Sequence, residues 1–158
     1  MISNYINSGL NGNPKIPGDK SISHRSIIIP SISNGICEIN NLLKSEDVLH
    51  TLNAFRSMGV KILEEDSKII IYGKGLNSLK QPKDDIYLGN SGTSARLLTG
   101  LLSSQKFNSI ITGDKSLSKR PMERISNPLS KMNAKIQTTN GSLPLKIKGN
   151  NLISCEID

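Results

Sequence analysis

Lys20, Ser21 and Arg25 lie just beyond Gly18, in the run Pro17-Gly18-Asp19-Lys20-Ser21-Ile22-Ser23-His24-Arg25. A glycine turn, two cations and two hydroxyls in one short segment are the parts of an anion site. An ammonium supplies a point charge, and a guanidinium a planar fork that matches carboxylate or phosphate oxygens. The pattern recurs. Gly113-Asp114-Lys115-Ser116-Leu117-Ser118-Lys119-Arg120 repeats it almost letter for letter. Gly89-Asn90-Ser91-Gly92-Thr93-Ser94-Ala95-Arg96 keeps the glycine, the second serine and the arginine at the same offsets. One such turn is explained by ordinary helix capping. Three turns that each send an arginine into a following helix point to an anion site shared between them.

The elements that must hold these turns follow from the apolar pattern. Ahead of Gly18 a strand end is expected, and after it a helix from Ser23 to Asn34 with Ser21 or Ser23 as its cap. Pro30 inside that helix is expected to kink or shorten it. Ile36 to Ile39 alternates like a strand. Ser45-Glu46-Asp47 opens a second helix, whose acidic first turn suits the helix dipole. Val48, Leu49, Leu52, Phe55 and Met58 give it a core face, and Gly59 ends it. Val60–Glu64 and Lys68–Tyr72 read as a hairpin. Asp85–Leu88 is then a strand, Gly92–Ser104 a helix with Leu97, Leu98, Leu101 and Leu102 available to the core, and Phe107–Thr112 a strand. A helix over Pro121–Met132 has Pro121 in its first turn. A last hairpin, Ala134–Thr138 with Leu143–Ile147, turns at Asn140-Gly141. Tyr5-Ile6-Asn7 and Gly9-Leu10 read as a short strand or connector.

The halves repeat. Met58-Gly59-Val60-Lys61-Ile62 matches Met132-Asn133-Ala134-Lys135-Ile136, and Lys74-Gly75 matches Lys148-Gly149 at the same offset. Repeats of this kind usually stack in more than two copies. The segment from Ile153 reads as the start of something that does not continue.

At 158 residues with 3% aromatics and no Trp, the interior must be built from Ile and Leu. The formal net charge of +7 raises nucleic acid as a partner. Yet the cations are spread and stacking aromatics are few, so nucleic acid is not expected. No membrane span or secretory signal is visible, and Cys37 and Cys155 match no metal or disulfide spacing. A cytoplasmic setting, no metal and no cofactor are the expectations.

At the three turns the sequence resembles the 5-enolpyruvylshikimate-3-phosphate synthase family. Pro17 to Arg25 resembles its first signature, Leu88 to Thr93 with Arg96 its second, and Lys119-Arg120-Pro121-Met122 the segment of a substrate-binding arginine. Ser45-Glu46-Asp47-Val48 and Phe55-Arg56-Ser57-Met58-Gly59 also fit. The resemblance covers nearly all of this chain and little over a third of a typical member. It implies an α+β fold of repeated βαβαββ units, two of three present, as a partial inverse α/β-barrel. Residues 1–13 would belong to the other domain of the full enzyme. Residues 14–158 would be an incomplete shikimate 3-phosphate-binding domain, with units at about 14–75 and 85–150. The implied reaction transfers the enolpyruvyl group of phosphoenolpyruvate to shikimate 3-phosphate and releases phosphate.

Lys20 would then be catalytic and touch both substrates. Ser21 and Arg25 would hold shikimate 3-phosphate, while Gly92 and Arg120 would receive phosphoenolpyruvate or the inhibitor glyphosate. Asn90, Thr93, Arg96 and Asp47 would support them. His24 reads as structural, and Lys115 and Lys119 as solvated. The family's remaining unit and most of its second domain, with the acid/base carboxylates, are missing. The chain alone is therefore expected to be inactive without that C-terminal part. Two alternatives stay open: a non-catalytic anion-binding or interaction module of this fold, and a relative of UDP-N-acetylglucosamine enolpyruvyl transferase.

Overall fold

A computed structural model describes residues 11–156. The segment expected around Tyr5 to Leu10 lies outside them, as do Ile157 and Asp158. The first helix, α1 (Lys20–Ile32), begins three residues before Ser23. Neither Ser21 nor Ser23 caps it. Asp19 does, accepting the Ile22 N–H at 2.7 Å from an extended backbone. The Ser23 hydroxyl is drawn away instead, accepting the Leu43 N–H at 3.0 Å.

Four elements complete the first unit: β1 (Asn34–Asn40), α2 (Glu46–Ser57), β2 (Lys61–Glu64) and β3 (Lys68–Lys74). The strands form an antiparallel sheet of order β1-β3-β2. The second unit comprises β4 (Ile86–Tyr87), α3 (Gly92–Ser103), β5 (Asn108–Thr112), α4 (Glu123–Lys131), β6 (Lys135–Thr139) and β7 (Ser142–Lys148). Its sheet has the order β4-β5-β7-β6, with β4 parallel to β5 and the other pairs antiparallel.

The repeat holds at the level of single backbone bonds. Gly59 and Asn133 follow α2 and α4 with left-handed φ of 86° and 69°. Val60 N–H reaches Phe55 O at 3.0 Å, and Ala134 N–H reaches Leu129 O at 2.9 Å. Gly75 N–H reaches Ser33 O at 2.9 Å, and Gly149 N–H reaches Phe107 O at 3.1 Å.

The strand end expected before Gly18 does not form among residues 11–19. In the second unit Leu88 donates its N–H to Thr112 O at 3.0 Å, extending β4 along β5. Pro17 stands at the matching place and has no N–H to give. Just past the end of β1, Asn41 turns with φ 56°. What remains is the Asn41 side-chain amide donating to Ile16 O at 3.1 Å.

The third turn also departs from expectation. Asp114 accepts Leu117 N–H at 2.7 Å, the same cap that Asp19 makes. It opens only a 3-10 turn, Leu117–Lys119. Pro121 disfavours helical backbone at the residue before it, and Arg120 is extended (φ −80°, ψ 135°). The helix restarts at Glu123, leaving Pro121 outside it, and carries Pro128 within.

A single apolar core joins the units. Val48, Leu52 and Phe55 of α2 and Met58 just after it are buried in it, with Leu49 half-buried. On α3, Ala95, Leu98 and Leu102 form the buried stripe, which leaves Leu97 exposed and Leu101 half-buried. No helix among the described residues is long and apolar enough to cross a membrane.

Candidate anion-binding site

The first turns of α1, α2 and α3 converge with the extended Arg120 segment around a recess of about 190 Å³. Lys20 comes from α1 and Asp47 from α2. Asn90, Ser91, Gly92, Thr93 and Arg96 come from the Gly89 turn and α3, and Arg120 completes the wall. The Lys20 ammonium pairs with the Asp47 carboxylate; the lysine side chain is 52% exposed and the carboxylate 17%. The Arg120 guanidinium donates to Asn90 Oδ1. Arg96 Nη1 donates to Gly92 O at 3.2 Å, and its Nη2 to Pro121 O at 3.5 Å.

Gly92 explains how two arginines share this space. A Cβ there would lie 2.9 Å from Nη1 of Arg96 and 2.9 Å from Nη1 of Arg120. The missing side chain lets both guanidinium groups close on one point. Like charges so placed repel, and an anion between them turns the repulsion into attraction. The amino end of α3 adds backbone dipole of the same sign.

Two glycines lock the turns together. Asp114 N–H donates to Gly89 O at 2.9 Å, and a Cβ on Gly113 would sit 2.8 Å from that same oxygen. Gly89 has φ 54°, and a Cβ on it would come within 2.6 Å of the His50 ring. His50, on α2, thus floors the Gly89 turn. Its ring also meets Tyr87 edge-on at 5.2 Å between centroids.

One helical turn below the recess lies a buried polar cluster. His24 Nδ1 is 2.9 Å from Thr51 Oγ1 and 3.3 Å from Ser94 Oγ. Thr51 Oγ1 is 2.6 Å from Ser94 Oγ, which is 2.6 Å from Ser91 Oγ. His24, Thr51 and Ser94 are all fully buried. Burial holds the His24 imidazole below its ordinary pKa of 6.5; Asp47 opposes this and Lys20 adds to it.

The structure thus gathers Lys20, Asp47, Asn90, Gly92, Thr93, Arg96 and Arg120. Ser21 and Arg25 do not line the recess. They are exposed beside it on α1, four residues apart and hence on one helix face. Lys115 and Lys119 are exposed. Ser91, Ser94 and Thr51 were not legible as site residues. Ser91 carries one local signal, since it caps α3 by accepting the Ser94 N–H at 3.2 Å. Thr51 carries only its spacing of one helical turn from Asp47, which many core threonines share.

The family model for EPSP synthase (3-phosphoshikimate 1-carboxyvinyltransferase) matches residues 5–158. A 3-phosphoshikimate 1-carboxyvinyltransferase of Ruthia magnifica subsp. Calyptogena magnifica is 57% identical over 142 residues, 90% of this chain and 33% of the relative. That of Oenococcus oeni (strain ATCC BAA-331 / PSU-1) is 51% identical over 142 residues, 89% of this chain and 32% of the relative. Among solved structures, an EPSP synthase from Acinetobacter baumannii superposes with a TM-score of 0.89 at 50% identity, covering 92% of this chain and 34% of that one. The chain therefore spans about a third of the length of the relatives it matches. With its paired α+β units and its three glycine turns, it belongs to the EPSP synthase (3-phosphoshikimate 1-carboxyvinyltransferase) family.

Proposed function

We propose that this chain forms one wall of a site that transfers the enolpyruvyl group of phosphoenolpyruvate to shikimate 3-phosphate with release of phosphate. The observation that carries the reading is the close approach of Arg96 and Arg120 at Gly92, in a recess that Lys20 also lines. Both substrates are multiply anionic, and such a cluster suits their phosphates and carboxylates. In this reading Arg120 and the space at Gly92 receive phosphoenolpyruvate, or glyphosate in its stead. Ser21 and Arg25 hold shikimate 3-phosphate on the exposed face of α1, and Lys20 stands between the two ligands. Residues 14–158 then make up an incomplete shikimate 3-phosphate-binding domain, residues 1–13 belong to the other domain, and the setting is cytoplasmic.

Catalysis needs more than this wall. A general acid or base must stand within hydrogen-bond reach of the reacting atoms. Among the described residues Asp47 is the one carboxylate lining the recess, and it is paired with Lys20. The acid/base groups of the reaction are therefore assigned to the part of the enzyme outside this chain.

The test is a titration of the chain with shikimate 3-phosphate and phosphoenolpyruvate, followed by the amide resonances of Asn90, Gly92 and Thr93. Saturable shifts are expected, lost in Arg120→Gln and weakened in Lys20→Met. The Lys20 substitution should change the melting temperature little, because an ion pair whose lysine is half exposed to solvent contributes only about 1 kcal/mol. Amides that stay put in millimolar ligand would remove the reading.

A further inference from the structure

Thr51 makes no contact with the recess, yet it joins the elements that build it. It lies on α2 one turn after Asp47. His24 lies on α1 one turn after Lys20, and Ser94 on α3 two residues after Gly92. The three side chains meet out of reach of solvent. In such a place each polar hydrogen needs an acceptor, and an orphaned donor is costly.

The hydrogens can be counted. The Thr51 hydroxyl donates to the Asp47 carbonyl at 3.2 Å. Its oxygen then has two lone pairs to offer. Ser94 Oγ at 2.6 Å and His24 Nδ1 at 2.9 Å are both placed to donate to them. Ser94 Oγ in turn accepts the Ser91 hydroxyl at 2.6 Å, and Ser91 Oγ accepts the Ser94 N–H at 3.2 Å. With the donors assigned in this way every hydrogen in the cluster is used once, and His24 carries its proton on Nδ1. His24 Nε2 is buried and has no partner among the described residues. As a bare lone pair it is tolerated better than a stranded N–H would be.

We propose that Thr51 is a positioning residue: its saturated hydroxyl sets the spacing between Lys20 on α1, Asp47 on α2 and the Gly92 turn of α3. Asp47 is held from both sides by this arrangement, its carboxylate on Lys20 and its carbonyl on Thr51. A methyl in place of the hydroxyl would keep the volume and remove the acceptor that His24 Nδ1–H and the Ser94 hydroxyl share, leaving His24 only the longer 3.3 Å contact to Ser94 Oγ. The helix ends would then relax apart, and the cations with them. The proposal rests on the reading of the recess as an anion site.

The experiment compares the unsubstituted chain with Thr51→Val and Thr51→Ser, well below their melting temperatures. Three quantities are read: the nitrogen shifts of His24, the amide shifts of Lys20, Asn90 and Gly92, and the dissociation constant for shikimate 3-phosphate. The expected result is an Nδ1–H tautomer, displaced amides in Thr51→Val, and affinity lowered about fivefold there. Thr51→Ser should restore both. An Nε2–H tautomer, or a Thr51→Val chain with unmoved amides and unchanged affinity, would overturn the proposal. If the unsubstituted chain binds no ligand, the anion-site reading fails, and the amides and the tautomer still decide the positioning claim. If Thr51→Val does not fold, the tautomer in the unsubstituted chain decides it alone.

Discussion

Gly92 separates two uses of glycine. Its φ lies outside the left-handed range, so alanine is compatible with its backbone. What a methyl would strike is the far ends of two flexible arginines. Gly92→Ala should therefore leave the melting temperature unchanged or slightly raised, while ligand titration shows weakened binding of phosphoenolpyruvate and glyphosate. A large loss of stability with unchanged binding would return Gly92 to a purely structural role. His24 gives a pH signature. Its folded pKa is depressed below 6.5, so the unfolded chain binds the proton more readily. Its stabilising contribution is whole above pH 6.5 and is lost as pH falls through the folded value. His24→Asn keeps an N–H donor for Thr51 without the titration. Thermal melts should show a shallower loss of stability just below pH 6.5 in that variant than in the unsubstituted chain.

Elements were legible where their signal is local. Asn140 and Gly141 adopt φ of 50° and 73°, as a tight hairpin of that sequence requires, α2 starts at the acidic Glu46-Asp47 turn, and α3 starts at Gly92. The start of α1 was not legible, because Asp19, Ser21 and Ser23 all have capping side chains and a tertiary contact to Leu43 decides among them. The lost strand before Gly18 follows from Pro17, a local cause open to reading. The convergence of the turns does not, since it depends on how β4 and β5 carry Gly89 beside Gly113. Two glycines test the packing of these elements. A Cβ on Gly18 would lie 2.3 Å from Asn41 O and 3.0 Å from Leu43 N, both backbone atoms. Gly18→Ala should cost about 1–3 kcal/mol as overpacking. Gly100, within α3, has nothing inside 4 Å of that position. Gly100→Ala should add about 0.5–1 kcal/mol of stability by helix propensity. Chemical denaturation of the two variants checks both signs.

For the whole molecule, the family and the repeat were readable from three turns and one offset, because both are written in short recurring strings. Of α2 only Asp47 was readable, since Thr51 and His50 act only through neighbours distant in sequence. The chain holds one wall of the proposed site, and that wall opens to solvent, where charge interactions are weak. A phosphate-release assay on this chain alone should give no turnover, and turnover at the rate of a complete family member would overturn the assignment of acid/base groups to the rest of the enzyme. The guanidinium pair at Gly92 has a further consequence for anyone handling the protein. Any small anion that settles between Arg96 and Arg120 binds the folded chain and not the unfolded one. It becomes a stabiliser by mass action, adding about 2.7 kcal/mol at a hundredfold excess over its dissociation constant. Phosphate or sulfate in a buffer is then a ligand rather than a bystander. Melting temperatures of recess variants are comparable only in a common anion background, and exchange into chloride should lower that of the unsubstituted chain more than that of Arg120→Gln.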